Sequence, residues 1–461
     1  MINLPSNSHP ASYRDPSGYI YKHESLYYRF VGNKYKLHYE HASKKDLFRK
    51  AIAKNLLLNF KETDEIHNTD KEAHYKTLFP DQIVFENYPW EWCFDQYRDA
   101  AITTLSLCKL SLQNGMILKD ASPLNIRLMD GKMKWIDHLS FEIYKDGDTW
   151  IAYRQFCEMF LNPLLIASYC GLEVHRLLKA YPEGLTAQST AQLLPFHCRF
   201  KLHVQLHVFV QANIQSKTKT KSIPNKKLSV QKLMHIIESL FTCINSLRLP
   251  MTQKKWSNYY QETILSEAYL KSKKGQLINI LSELDYTNVL DAGCNDGTIT
   301  LLCNNKANII AADSDPDCIN QFYNLIKKNN IRNVYPFVLD LTFPSENMGW
   351  NNNEYPAFFQ RKKFDLIIAL ALIHHLCIRK NIPLDKVAGL FASNGKQLII
   401  EFVPKNDPKS QELLLNRENI FENYNEENFI NSFSKFYKIM KEYKINNSDR
   451  KIYYMNAKEY H

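Results

Sequence analysis

The sequence predicts an α/β protein in two parts. A C-terminal half is built on a parallel-dominated sheet with helices on both faces, and an N-terminal half is α+β. Three observations carry this. After Asp285, fully apolar runs alternate with helical segments, the pattern of a sheet covered on both faces. The first of those runs ends in a glycine-containing turn, V-L-D-A-G-C-N-D-G (289–297). The chain opens on tyrosine-rich stretches with strand character, and helical patterns follow them.

Length and composition bound the rest. At ~150 residues per domain, 461 residues predict two or three domains. Hydrophobic residues make up 45% and charged residues 23%, which excludes a disordered chain, a collagen-like fibre and a coiled-coil rod. The formal charge of +10 is a mild basic bias over this length; it permits an anionic partner without requiring one. The 10 cysteines include no C-x-x-C pair and no zinc-ligand spacing, so no metal site is expected. They read as reduced thiols of a cytoplasmic protein. No signal-peptide pattern is seen over residues 1–14. No apolar run reaches the ~18 residues of a membrane helix, so no membrane partner is expected.

In chain order, Gly18 to Tyr39 reads as strands, with 18–21 and 26–31 the clearest and a turn at Gly32-Asn33. Asp46 to Leu58 reads as a helix, Lys61 to Lys76 as a loop and Gln82 to Tyr88 as a strand. Phe94 to Gln113 reads as a helix stopped by Gly115. A breaker-poor helical region covers roughly 150–215. Gln215 to Lys227 holds five lysines and no acid, the composition of an exposed linker. Leu228 to Leu247 is amphipathic, with Leu233, Ile236, Ile237, Leu240, Phe241 and Ile244 on one face. A helix over 259–284 leads into strands at 288–290, 308–312, 336–339, 364–370 and 397–402. The domains are thus 1–215, a basic linker and connecting helix over 216–255, and 256–461.

The turn at 289–297 is the most informative segment. A strand ends in Asp291, Gly293 and Gly297 shape the turn, and a helix is expected to start near Thr298. Glycine lets backbone approach a ligand closely, and a helix start would face it. The next strand ends in Asp313, 22 positions after Asp291, where a carboxylate accepts hydrogen bonds from a ribose diol. A dinucleotide and S-adenosylmethionine both suit this arrangement. The pattern is Asp-x-Gly-x-x-x-Gly rather than G-x-G-x-x-G. A carboxylate ahead of the first glycine favours a cationic ligand over a pyrophosphate.

This pattern resembles motif I of class I S-adenosylmethionine-dependent methyltransferases, with Asn295 in place of the middle glycine. The resemblance implies a Rossmann-like domain and S-adenosyl-L-methionine as cofactor. It implies that Asp291, Gly293, Asn295 and Gly297 shape the methionine side, Asp313 takes the ribose and Asp340 lies near the adenine. F-D-L-I-I-A-L-A-L-I-H-H-L (364–376) resembles motif IV, whose strand end at Ala369 faces cofactor and acceptor. It is not the N/D-P-P-Y form of many amino-group methylases. W-S-N-Y-Y (256–260), G-W-N-N-N-E (349–354), E-F-V-P-K-N-D-P (401–408), R-E-N-I-F (417–421) and Y-P-W-E-W (88–92) are similar to one bacterial family. It is the family of class I methyltransferases resembling a host-specific nodulation protein, and the similarity runs from about Arg14 to Met455.

His374 and His375 sit where an acceptor would approach, so they are candidate bases, and Glu401 is a candidate base or anchor. His203 and His207 lie one helical turn apart near His197, but the set lacks an obvious further ligand beyond His197 or Cys198, and a packed helix face explains it better. In the N-terminal half, K-D-A-S-P-L-N (119–125) followed by W-I-D (135–137) resembles the core of kinase-like phosphotransferases, with Asp120, Asn125 and Asp137 at the loop and metal positions. The glycine-rich loop and the V-A-I-K lysine are missing, so a degenerate kinase-like domain is expected. The implied function is methyl transfer to an undefined acceptor, a small molecule or a saccharide-type hydroxyl. Nucleic-acid methylation is the first alternative, and phosphotransferase or scaffold activity of the N-terminal domain the second.

Overall fold

Tyrosines recurring at every second position build the first hairpin. β1 (Gly18–His23) pairs antiparallel with β2 (Leu26–Gly32). Tyr19, Tyr21, Tyr28 and Phe30 form a buried cluster, with Tyr19 stacked on Phe30 at 4.6 Å between centroids. The computed structural model describes residues 5–64, 72–217, 228–250, 267–415 and 422–458. The chain divides into two units: residues 1–252 with 347–356, and residues 253–346 with 357–461.

In the first unit, β3 (Phe60–Thr63) and β4 (His74–Pro80) complete an antiparallel sheet of order β1-β2-β4-β3. Three expectations are corrected here. Residues 61–76 are not simply a loop: they hold β3 and the start of β4. The strand expected at 82–88 is absent, because pairing with β2 fixes the strand eight residues earlier, and tertiary pairing overrides local strand preference. Residues 36–44 form a helix rather than a strand; Gly32 ends the ladder, and Tyr39 and Ala42 bury one helical face. The next helix, Leu47–Ala53, is shorter than expected, and Asn55 follows it in the left-handed conformation.

The helix Phe94–Gln113 forms as expected and ends before Gly115, whose φ is +73°. β5 (Met116–Leu118) pairs with β8 (Phe141–Ile143), and β6 (Ile126–Met129) pairs with β7 (Lys132–Trp135). These two pairings bring loop 119–125 beside loop 136–140. The region 150–217 is a series of short helices with π turns at Cys157–Leu161 and Gln205–Phe209. The helix Val230–Ser246 buries Leu233, Ile237, Leu240 and Ile244; Ile236 and Phe241 are half-buried at its margin. Most of the lysine-rich stretch, 218–227, lies outside the described residues.

The second unit opens on the helix Glu267–Ser282; the expected helical start at 259–266 lies outside the described residues. β9 (Asn288–Ala292), β10 (Asn308–Asp313), β11 (Val334–Val338), β12 (Phe364–Ala369) and β13 (Gly395–Phe402) are parallel. β14 (Tyr437–Lys444) and β15 (Lys451–Ala457) are antiparallel additions, giving the order β11-β10-β9-β12-β13-β15-β14. The five parallel strands match the expected runs, and their interiors are almost wholly apolar and buried. The antiparallel pair was not expected, because β14 carries lysines and exposed positions that give no strand signal. The helix expected from Thr298 does not form. Residues 298–307 must return the chain to β10, and they hold only a single 3-10 turn, Thr300–Leu302.

Candidate active site

β9 lies at the point where strand order reverses: the chain steps out through β10 and β11, then crosses to β12 on the other side. In such sheets the crevice opens at the carboxyl ends of the two strands flanking the reversal. Asp291 is in β9, with 3% of its surface exposed, and accepts a hydrogen bond from the Thr300 hydroxyl at 2.5 Å. The turn after β9 winds through Gly293 (φ +83°), Asn295 (φ +49°) and Gly297 (φ +80°). Asn295 therefore takes the left-handed conformation, which asparagine tolerates. At Gly297 a Cβ atom would fall 2.0 Å from the Phe322 ring, so no side chain fits.

Asp313 ends β10. Its carboxylate accepts from the backbone N–H of Asn295 at 2.9 Å and of Asp315 at 2.9 Å, which ties the turn to the strand. Burial, reinforced by the Asp313 carboxylate, pushes Asp291 up to about 7. Burial pushes Asp313 up to about 6 against the pull of its backbone donors. Two carboxyls that resist ionisation side by side fit a cationic ligand such as a sulfonium or ammonium group. Asp340 follows β11, half-exposed, bonded by Thr342 and 3.4 Å from the Lys380 ammonium. Ala369 ends β12 and is buried.

Beyond Ala369 the chain turns through Ala371, at φ +49°, and reaches His374 and His375. The two imidazoles lie 4.2 Å apart between centroids, tilted by 42°. His374 is fully buried, and neither ring nitrogen has a hydrogen-bond partner among the described residues. Burial, with cationic neighbours, lowers His374 well below the usual imidazole range and His375 to about 4. Glu401 of β13 is also fully buried. It accepts from the Tyr269 hydroxyl at 2.6 Å, the Lys273 ammonium at 2.6 Å and the Ala371 N–H at 2.9 Å. Arg450 joins it to Asp407, whose carboxylate it meets at 2.7 and 2.8 Å. Burial alone would raise Glu401, but Lys273 and Arg450 hold it below the usual range. This is the geometry of an anchor for the turn at Ala371. Sequence reasoning missed Tyr269, Lys273, Asp407 and Arg450, since nothing local marks a lysine or arginine as buried.

The first unit brings Asp120, Asn125 and Asp137 together. Asp120 accepts from the Ser122 N–H at 3.0 Å and from the Asn125 amide at 2.7 Å. Burial, then the nearby Asp137, raises Asp120. Asp137 accepts from the Arg29 guanidinium at 2.7 Å, the Leu139 N–H at 3.1 Å and the Ser140 hydroxyl. Y-P-W-E-W (88–92) forms the connection between β4 and the helix Phe94–Gln113. The histidines at 203 and 207 both contact the Ser239 hydroxyl, at 3.1 and 2.9 Å, and His207 also bonds the Tyr153 hydroxyl at 2.8 Å. Among the described residues no group of histidines, cysteines or acids has a metal-binding arrangement.

No protein-family model matches the chain. It is 28% identical over 459 residues to nodulation protein NoeA of Rhizobium meliloti (strain 1021), covering 97% of this chain and 96% of that protein. The chain is thus similar to this nodulation protein over nearly the whole length of both. Similar solved structures include the N-methyltransferase NodS from Bradyrhizobium japonicum WM9, at 12% identity and a TM-score of 0.32, covering 42% of this chain and 99% of NodS. Another is the bifunctional kinase-methyltransferase WbdD, at 20% identity and a TM-score of 0.27, covering 41% of this chain and 38% of WbdD. Among the described residues no helix is long and apolar enough to cross a membrane.

Proposed function

We propose that this chain methylates a hydroxyl of a small molecule or saccharide, with His374 receiving the acceptor's proton. When bound, the cofactor supplies a methyl group on a sulfonium sulfur. The carboxylate of Asp291 would favour its cationic methionine portion, and that of Asp313 would accept hydrogen bonds from its ribose diol. The turn 293–297 gives it backbone to lie against.

The single observation behind the acceptor reading is the buried, unpartnered imidazole of His374 beyond the end of β12. A buried polar group without a partner costs about 1–3 kcal/mol, and a ligand that pairs with it would relieve that cost. The bound cofactor would give its methyl group to the acceptor oxygen and keep the carbon–sulfur electron pair, and the neutral ring of His374 would take the proton that this oxygen loses. Burial first, and then the neighbouring His375, Arg450 and Lys273, keep that ring unprotonated beforehand. Glu401, bound to both cations, fixes Ala371 and so the path of the backbone leading to His374.

A labelled-methyl screen of metabolites, glycans and RNA tests the acceptor class. Incorporation into a hydroxylated small molecule or glycan is the expected result, and incorporation into RNA alone refutes the reading. On the acceptor so found, His374→Ala is expected to lower kcat on the order of 10²-fold, the usual worth of a positioned base. His375→Ala is expected to retain most of the rate. Unchanged kcat in His374→Ala removes the base role while leaving methyl transfer intact.

A further inference from the structure

In active phosphotransferases of the kinase type, one aspartate accepts the proton of the attacking hydroxyl while an asparagine and a second aspartate hold magnesium. A lysine on a strand of the small sheet steadies the phosphates, and a glycine-rich loop covers them. The first unit keeps the three side chains but not their freedom. We propose that Arg29 stands in for the divalent cation at Asp137, leaving this kinase-like unit inert in phosphoryl transfer.

Arg29 lies on β2, in the small antiparallel sheet, and only 7% of its surface is exposed. Its Nη1 sits 2.7 Å from Asp137 Oδ1. That oxygen also accepts the Leu139 N–H, and the other oxygen accepts the Ser140 hydroxyl. Asp137 thus has protein donors on both oxygens. Asp120 is engaged in the same way, on one oxygen by the Ser122 N–H and on the other by the Asn125 side-chain NH2. A divalent cation could reach Asp137 only by displacing a buried guanidinium or by lying beside it, and like charges at that distance repel strongly in a low-dielectric site.

The strand side of the site reinforces this. Ahead of β1, and tied to the same cluster through Lys119, stands the Asp15 carboxylate. It accepts the Ser17 N–H at 2.8 Å and ion-pairs with Lys119 at 3.0 Å. The cluster therefore sets three carboxylates, those of Asp15, Asp120 and Asp137, against the two cations Arg29 and Lys119, each already paired. A nucleoside triphosphate would bring more negative charge to a site with no uncommitted cation in this set.

The test uses the full chain. Thermal unfolding is followed with ATP while Mn²⁺ is titrated, and ADP formation is assayed alongside. The wild type is expected to show no metal-dependent shift beyond that of Asp137→Asn, and no ADP above that variant. Arg29→Gln is expected to gain a metal-dependent stabilisation of about 3 °C, because Asp137 is then free to take the ion. A Mn²⁺-dependent shift or ADP formation in the wild type that Asp137→Asn abolishes overturns the proposal. So does a folded Arg29→Gln that gains nothing. The comparison of wild type with Asp137→Asn decides the matter even where Arg29→Gln does not fold.

Discussion

At the residue scale, two carboxyls set how the second unit responds to pH. Asp291 and Asp313 lie at about 7 and about 6, both above the ~3.9 of an unfolded aspartate. Without cofactor, the folded chain therefore holds more protons than the unfolded chain between those values. The contribution of these groups to stability is present at low pH and declines as pH rises from about 4 to about 7. A cationic ligand reverses the preference by favouring the ionised pair. Calorimetric titration is expected to show S-adenosylmethionine binding about tenfold tighter at pH 8 than at pH 5.5, with proton release near pH 6. Asp291→Asn should flatten that dependence, and Asp313→Ala should remove most of the affinity. An affinity independent of pH would show that the carboxyls are ionised before the ligand arrives.

At the element scale, the turn after β9 is governed by backbone conformation more than by side-chain chemistry. Asn295→Gly should leave cofactor affinity within about threefold, because both residues accept a left-handed backbone. Gly297→Ala should abolish binding and lower stability by about 2 kcal/mol, since its Cβ would collide with Phe322 and φ is positive. Titration and chemical unfolding of both variants check this. The network around Glu401 acts at the same scale, joining the helix Glu267–Ser282, the turn after β12, and β13. Glu401→Gln leaves Lys273 and Arg450 short of a buried counter-charge and is expected to cost about 3 kcal/mol in urea unfolding. A loss below about 0.5 kcal/mol would mean that Asp407 alone balances the two cations.

At the scale of the whole molecule, residues 347–356 belong with the first unit although the chain on either side belongs with the second. Glu354 is nearly buried and takes the Tyr13 hydroxyl and the Arg14 guanidinium, the latter at 2.6 Å. Tyr355 packs edge-on against Tyr88 and Trp90 at 5.4 and 5.6 Å. Burial favours the protonated Glu354 carboxyl, but its two partners hold it below the usual range. Glu354→Ala is therefore expected to speed amide hydrogen exchange across 347–356 and 13–14, with β9–β13 unchanged. Unaltered exchange in that segment would show that Tyr355 alone holds it.

The parallel strands, the glycine turn with its acidic strand ends, the helix Phe94–Gln113 and the Asp120–Asn125–Asp137 set were legible because each is a local pattern: a run, a spacing or a cap. The antiparallel pair β14–β15 and strand β4 were not, because strand identity there comes from the partner strand. The missing helix after Gly297 was a misreading of geometry, since ten residues had to span back to β10. Arg29 at Asp137, Lys273 and Arg450 at Glu401, and the unpartnered His374 were beyond reach for one physical reason. A charge or a ring becomes buried, paired or orphaned only when segments far apart in sequence close around it. The sequence by itself determined the class of fold and the glycine-bearing turn after β9; tertiary structure decided which ionisable groups are free to act.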